Sequence, residues 1–172
     1  MIDVDIQYAS DEPDLPHQES LTHWVNTVLK AHHKGKGDNT ENANTLTPQN
    51  APLLPSSVEL TIRIVDEAES KQLNDTWRQC PKPTNVLSFP FESPPGVELP
   101  LLGDIVICAP LVALEAAEQH KSLVAHWAHL VIHGTLHLLG YDHIDEAQAQ
   151  IMEELEISLL HDLGYPNPYL IQ

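Results

Sequence analysis

The stretch from His129 to Asp145, HLVIHGTLHLLGYDHID, constrains the fold more than any other part of the chain. It sets His133 and His137 four residues apart, then Gly140, then His143. In a helix of about 3.6 residues per turn, positions four apart lie on one face, so both imidazoles can reach a common point. His143 cannot follow them on a straight helix, because six residues beyond His137 it would point away from that face. The helix must therefore stop and the chain fold back. Gly140 permits the stop, since glycine accepts the left-handed conformation that commonly ends helices.

Three neutral imidazoles suit one zinc ion whose fourth position stays open, the arrangement of catalytic rather than structural zinc. Neither Cys80 nor Cys108 lies near enough in sequence to suggest a closed site. His126 and His129 share roughly the same helical stripe, but about 12 Å of helix axis separates His129 from His137, too far for joint coordination. Both are expected to be surface or cleft-lining residues, and His120 and His161 ordinary surface histidines. The His-x-x-x-His-x-x-Gly-x-x-His spacing is also that of the metzincin peptidases. Where those place a glutamate base after the first histidine, this chain has Gly134.

At 172 residues the chain suits one domain with a real core, and 42% hydrophobic against 19% charged residues marks it as globular. The net charge of -17, from 25 acidic and 8 basic side chains, argues against tight unaided binding to nucleic acid. Met1–Ser10 lacks the basic-then-apolar pattern of a secretory signal, and no run is long enough to span a bilayer. Two cysteines without framework spacing fit reduced thiols in a cytoplasm.

Periodicity predicts strands over residues 3–8, 58–65, 85–91 and 103–108. In the second, Val58, Leu60, Ile62 and Ile64 share one face, and Pro90 places the third at a sheet edge. Helices are expected from Pro16 to about His33, from Asp66 to about Arg78, and from Pro110 to about Gln119. A further helix runs from Ser122 through the histidines, and a last one from Asp145 to about Leu163. Asp66 with Glu69, and Asp145 with Gln148, have the spacing of capping pairs. Leu73 and Trp77 are expected to pack, and residues 34–56, rich in Asn, Thr, Gly and Pro, read as a long mobile loop. The resulting fold class is α/β (α+β): a single domain, 1–172, with a mixed sheet of about four strands surrounded by helices.

HGTLHLLGYDH, together with LNDTWRQCPKPTNVLSFPFE and GDIVI, resembles the YbeY family of rRNA maturation factors, from roughly Val58 to the C-terminus. The resemblance implies a zincin-like metalloprotein acting as a single-strand-specific endoribonuclease in 16S rRNA 3'-end maturation and ribosome quality control. Carried over by position, His133, His137 and His143 become ligands of one Zn2+ ion, and Arg78 the family's functionally important arginine. The implied partners are single-stranded ribosomal RNA and the ribosome or small-subunit proteins, with no membrane. Two positions depart from the pattern: many relatives have an acidic residue at Pro81 and an aspartate at Asn85, which puts local loop geometry in question before function. A metallopeptidase and a non-catalytic ribosome-assembly factor with structural zinc are the competing classes. No residue is an obvious general base. Asp142 either orients a ligand histidine or shapes the turn, and Ser88 either lines the cleft or is a plain strand serine.

Overall fold

The computed structural model describes residues 1–37, 56–97 and 99–170. In chain order the elements are β1 (Ile2–Ala9), α1 (Gln18–Gly37), β2 (Val58–Val65), α2 (Glu67–Arg78), β3 (Val86–Pro90), β4 (Leu101–Cys108), α3 (Ala109–Glu118), α4 (Leu123–Leu138) and α5 (Glu146–Asp162). The expected α/β class with a four-stranded mixed sheet is the one observed. Strand order is β1-β2-β4-β3, with β1–β2 and β2–β4 parallel and β3 antiparallel to β4.

Strict alternation in β2 explains its central place. Val58, Leu60, Ile62 and Ile64 are each 3% exposed or less, and burial of each contributes about 2 kcal/mol. They face the main core, which α1 supplies with Leu21, Trp24, Val25, Val28 and Leu29, and α4 with Trp127, Leu130, Val131 and Ile132. On the other sheet face a small cluster of Val65, Leu87 and Val106 is covered by Leu73 of α2. Pro90 ends β3, which pairs with β4 alone, as its missing N–H requires of an edge strand. That edge lies beside α4 and so beside the histidines: Ser88 Oγ donates to the Gly134 carbonyl at 3.1 Å.

Four local expectations are corrected. α1 begins at Gln18, beyond Pro16, and runs on to Gly37 past the anticipated end at His33, which shortens the expected loop; residues 38–55 of it lie outside the described residues. Asp66 occupies the N-cap of α2 but makes no cap hydrogen bond, because its carboxylate accepts instead from Ser10 Oγ and the Asp11 N–H. Glu69 is likewise taken, by Arg63. Trp77 is not packed inside: it is 63% exposed, with only an edge-on contact to Phe89 at 5.9 Å between ring centroids.

Candidate metal centre

Ser122 opens the histidine helix by accepting the Ala125 N–H at 3.0 Å, and a Schellman turn closes it. Gly140, at φ 95°, donates to the His137 carbonyl at 3.0 Å, and Tyr141 donates to the Leu136 carbonyl at 3.1 Å. Tyr141 is 7% exposed, tucked against the core as the apolar residue after such a turn commonly is. The chain then reverses. Asp142 Oδ1 accepts the His143 backbone N–H at 2.7 Å, which identifies Asp142 as a turn-shaping residue. Asp145 accepts the Gln148 N–H at 2.8 Å and starts α5, the one expected cap that forms as read.

This geometry brings His133, His137 and His143 together, with one ligating nitrogen of each within 4.8 Å of the others. His133 Nε2 and His137 Nε2 are 3.1 Å apart. The His133 Nδ1–H donates to Glu156 at 2.6 Å, which in the neutral ring leaves Nε2 as the acceptor. The ring of His137 is hydrogen-bonded to the Tyr141 backbone, leaving the nitrogen that faces His133 as an acceptor too. Two lone pairs at that separation repel unless a cation lies between them. Tetrahedral zinc with bonds of about 2.0–2.1 Å would set ligand nitrogens about 3.3 Å apart, so the His133–His137 pair fits the ion, with His143 close by. Burial, with neighbouring His133 and His143, lowers the His137 pKa to about 4, so this ring is neutral at pH 7, the state a ligand needs.

That shift has a testable consequence. The unfolded chain takes up a proton at His137 near 6.5 while the native chain resists until about 4, so the native state loses stability as pH falls between those values. Thermal melts of metal-free protein at pH 7, 5.5 and 4 should show a falling midpoint, and a flat profile would contradict the burial argument.

Glu156 was not among the sequence candidates. It is fully buried, and it receives His133 Nδ1–H at 2.6 Å and His129 Nε2–H at 3.1 Å on one oxygen, with the Tyr169 hydroxyl at 2.6 Å on the other. Desolvation alone would raise its pKa, but the His129 and His133 hydrogen bonds outweigh it and hold the carboxyl down at about 2. A signal existed in the sequence: Met152, Glu156, Leu159 and Leu160 form the buried stripe of α5, so an acid sits where the helix period demands an apolar residue. His129, His133 and Glu156 also approach closely enough to suggest a second ion. The 2.6 Å contact is better read as a hydrogen bond, since an ion there would need His133 to lose its Nδ1 proton as well.

His126 and His129 do line the cleft beside the C-terminal segment, but neither is a surface residue: His126 is 4% exposed, with Nε2 3.2 Å from Glu115. His120 and His161 are exposed, as expected. The departure at Asn85 also has a local reason. Its amide donates to both Glu115 oxygens at 3.1 and 3.3 Å, where an aspartate would set two carboxylates face to face. The loop containing Pro81 is held by Asn74 Nδ2 on the Lys82 carbonyl and by Ser70 Oγ on Thr84, so the chain reaches β3 in a fixed path.

Arg78 ends α2, exposed and with no hydrogen bond among the described residues. The Asn74 and Asp75 carbonyls at that helix end are satisfied by the backbone N–H groups of Cys80 and Gln79, so Arg78 is not needed to cap them. The structure does not bring Arg78 into hydrogen-bonding contact with the three histidines. Ser88 is engaged with the Gly134 carbonyl rather than free in the cleft.

Gly134 marks the close approach of α4 to the sheet. A Cβ there would meet Ile105 Cγ2 at 3.0 Å and Ser88 Oγ at 3.3 Å. Gly134→Ala should therefore destabilise by about 1 kcal/mol net, overpacking against Ile105 and Ser88 outweighing the gain in helix propensity. Urea denaturation checks this, and a more stable variant would show that the neighbouring side chains yield without cost.

The fold and the clustered histidines define a mixed α/β domain with a candidate metal site, whose three imidazoles come from one helix and the turn after it. The family model described as Endoribonuclease YbeY matches residues 6–164, and the chain belongs to the YbeY endoribonuclease family. The solution structure of TM1509 from Thermotoga maritima superposes with a TM-score of 0.53 at 22% identity, covering 95% of this chain and 92% of that one, a likeness of fold.

Proposed function

We propose that the chain is a zinc-dependent endoribonuclease specific for single strands, acting in 16S rRNA 3'-end maturation and ribosome quality control. Membership of the family supports an RNA-cleaving hydrolase. The observation that carries the zinc dependence is the pair of facing imidazole nitrogens, 3.1 Å apart, with His133 fixed from behind by a buried carboxylate. Bound zinc would supply a Lewis acid and a water of lowered pKa for attack on a phosphodiester. His133, His137 and His143 would hold the ion. Glu156 keeps His133 in the tautomer that presents Nε2. Arg78 offsets negative charge on the reacting phosphate, its guanidinium being free of other partners among the described residues.

A net charge of -17 leaves little long-range attraction for RNA, so the ribosome or a small-subunit protein is the proposed source of affinity. Cys80 and Cys108 are free thiols, which suits a reducing cytoplasm, and among the described residues no helix is long and apolar enough to cross a membrane. Histidine spacing also favours a peptidase, but the position of its glutamate base is Gly134, where a side chain would start against Ile105 and Ser88. Zinc-loaded and chelator-treated protein should be incubated with single-stranded RNA, duplex RNA and an unstructured polypeptide. Zinc-dependent cleavage of single-stranded RNA alone is expected. Proteolysis would establish the peptidase, and a folded, zinc-bearing but inert protein the assembly factor.

A further inference from the structure

The segment after α5 reaches the histidine group through one hydroxyl. Glu156 is fully buried, and a buried carboxylate is tolerated only when its oxygens are satisfied. Oε1 serves His133 and His129, while Oε2 receives the Tyr169 O–H at 2.6 Å. The same hydroxyl stands 3.4 Å from His129 Nε2, and three further contacts place Tyr169. Its ring stands edge-on to His129 at 5.4 Å, its N–H donates to Asn167 Oδ1 at 2.8 Å, and Lys121 Nζ donates to the neighbouring Pro168 carbonyl at 2.6 Å. Tyr169 lies beyond residue 164, where the family match ends, so the match does not account for it.

We propose that Tyr169 is a positioning residue for the metal site: its hydroxyl fixes the Glu156 carboxylate, which in turn holds His133 with Nδ1 protonated and Nε2 aimed at the ion. The inference rests on the reading of His133, His137 and His143 as zinc ligands. The geometry explains why a hydroxyl is needed. With Oε2 unpaired, the carboxylate could rotate towards another donor and weaken the hydrogen bond on Oε1 that sets the His133 ring. A tyrosine that merely fastened the tail would affect the melting temperature but neither zinc affinity nor the His133 tautomer.

The test compares wild type with Tyr169→Phe, which removes only the hydroxyl, in the full chain. Zinc affinity is read by competition with a chromophoric chelator, and the His133 tautomer by nitrogen chemical shifts in metal-free protein. Tyr169→Phe is expected to weaken zinc binding about tenfold, the low end for groups behind a ligand, and to move the His133 shifts towards a tautomer mixture. The same substitution in a Glu156→Leu background should change zinc affinity little, because Tyr169 acts through that carboxylate. If the leucine variant fails to fold, the tautomer readout on Tyr169→Phe alone decides. Unchanged affinity and unchanged His133 shifts in Tyr169→Phe, with wild type binding one zinc, would overturn the role of Tyr169. A wild-type chain that binds no zinc would instead overturn the ligand reading, and the His133 shifts would still judge whether Tyr169 acts on that ring.

Discussion

His133→Ala protein is expected to take up no zinc at stoichiometric concentration and to cleave single-stranded RNA at least about a thousandfold more slowly than wild type. Two effects combine. The proposed ion would lose one of its three nitrogens, and the buried Glu156 carboxylate loses the His133 donor at 2.6 Å. Oε1 then keeps only the His129 donor, and losing one hydrogen bond to a buried charged group costs about 1.5–3 kcal/mol, so the variant should also melt earlier than His120→Ala, whose side chain is exposed. Metal analysis beside single-turnover cleavage of an rRNA precursor provides the check. Full zinc content and undiminished cleavage in the alanine variant would end the case for this site.

Arg78→Ala should keep zinc stoichiometry and folded stability while losing about a hundredfold in the rate of the cleavage step, the scale of one electrostatic contact to developing charge. The exposed guanidinium makes no hydrogen bond among the described residues, so its removal leaves nothing unpaired behind it. Arg78→Lys should recover only part of the rate, because an ammonium cannot form the two-pronged contact of a guanidinium with phosphate. The discriminating outcome is equal rates for all three proteins, which would reduce Arg78 to an ordinary residue at a helix end.

Much of the fold is legible because burial on one face imposes a period that the chain must carry. Val58, Leu60, Ile62 and Ile64 announce a half-covered strand, and Leu21, Trp24, Val25 and Val28 a helix packed on it. Failures occur where two tertiary partners compete for one side chain. Asp66 has the spacing of a cap, but Ser10 and Asp11 arrive from a distant part of the chain and take its carboxylate. Trp77 has the spacing of a packed residue, yet α2 lies over a cluster too small to cover it. The position of Asn85 is similar: its value lies in Glu115, thirty residues away and on another element.

The local sequence by itself determined that His133 and His137 share a face and that the chain turns at Gly140 before His143, because helix pitch and backbone sterics act within a few residues. Only the tertiary structure decided what stands behind those rings. Glu156 comes from the next helix and Tyr169 from the segment after it, and no local pattern links them to His133. Their contacts follow from burial: a carboxylate enclosed between α4 and α5 requires donors from both sides, and the folded chain supplies them at 2.6 Å each.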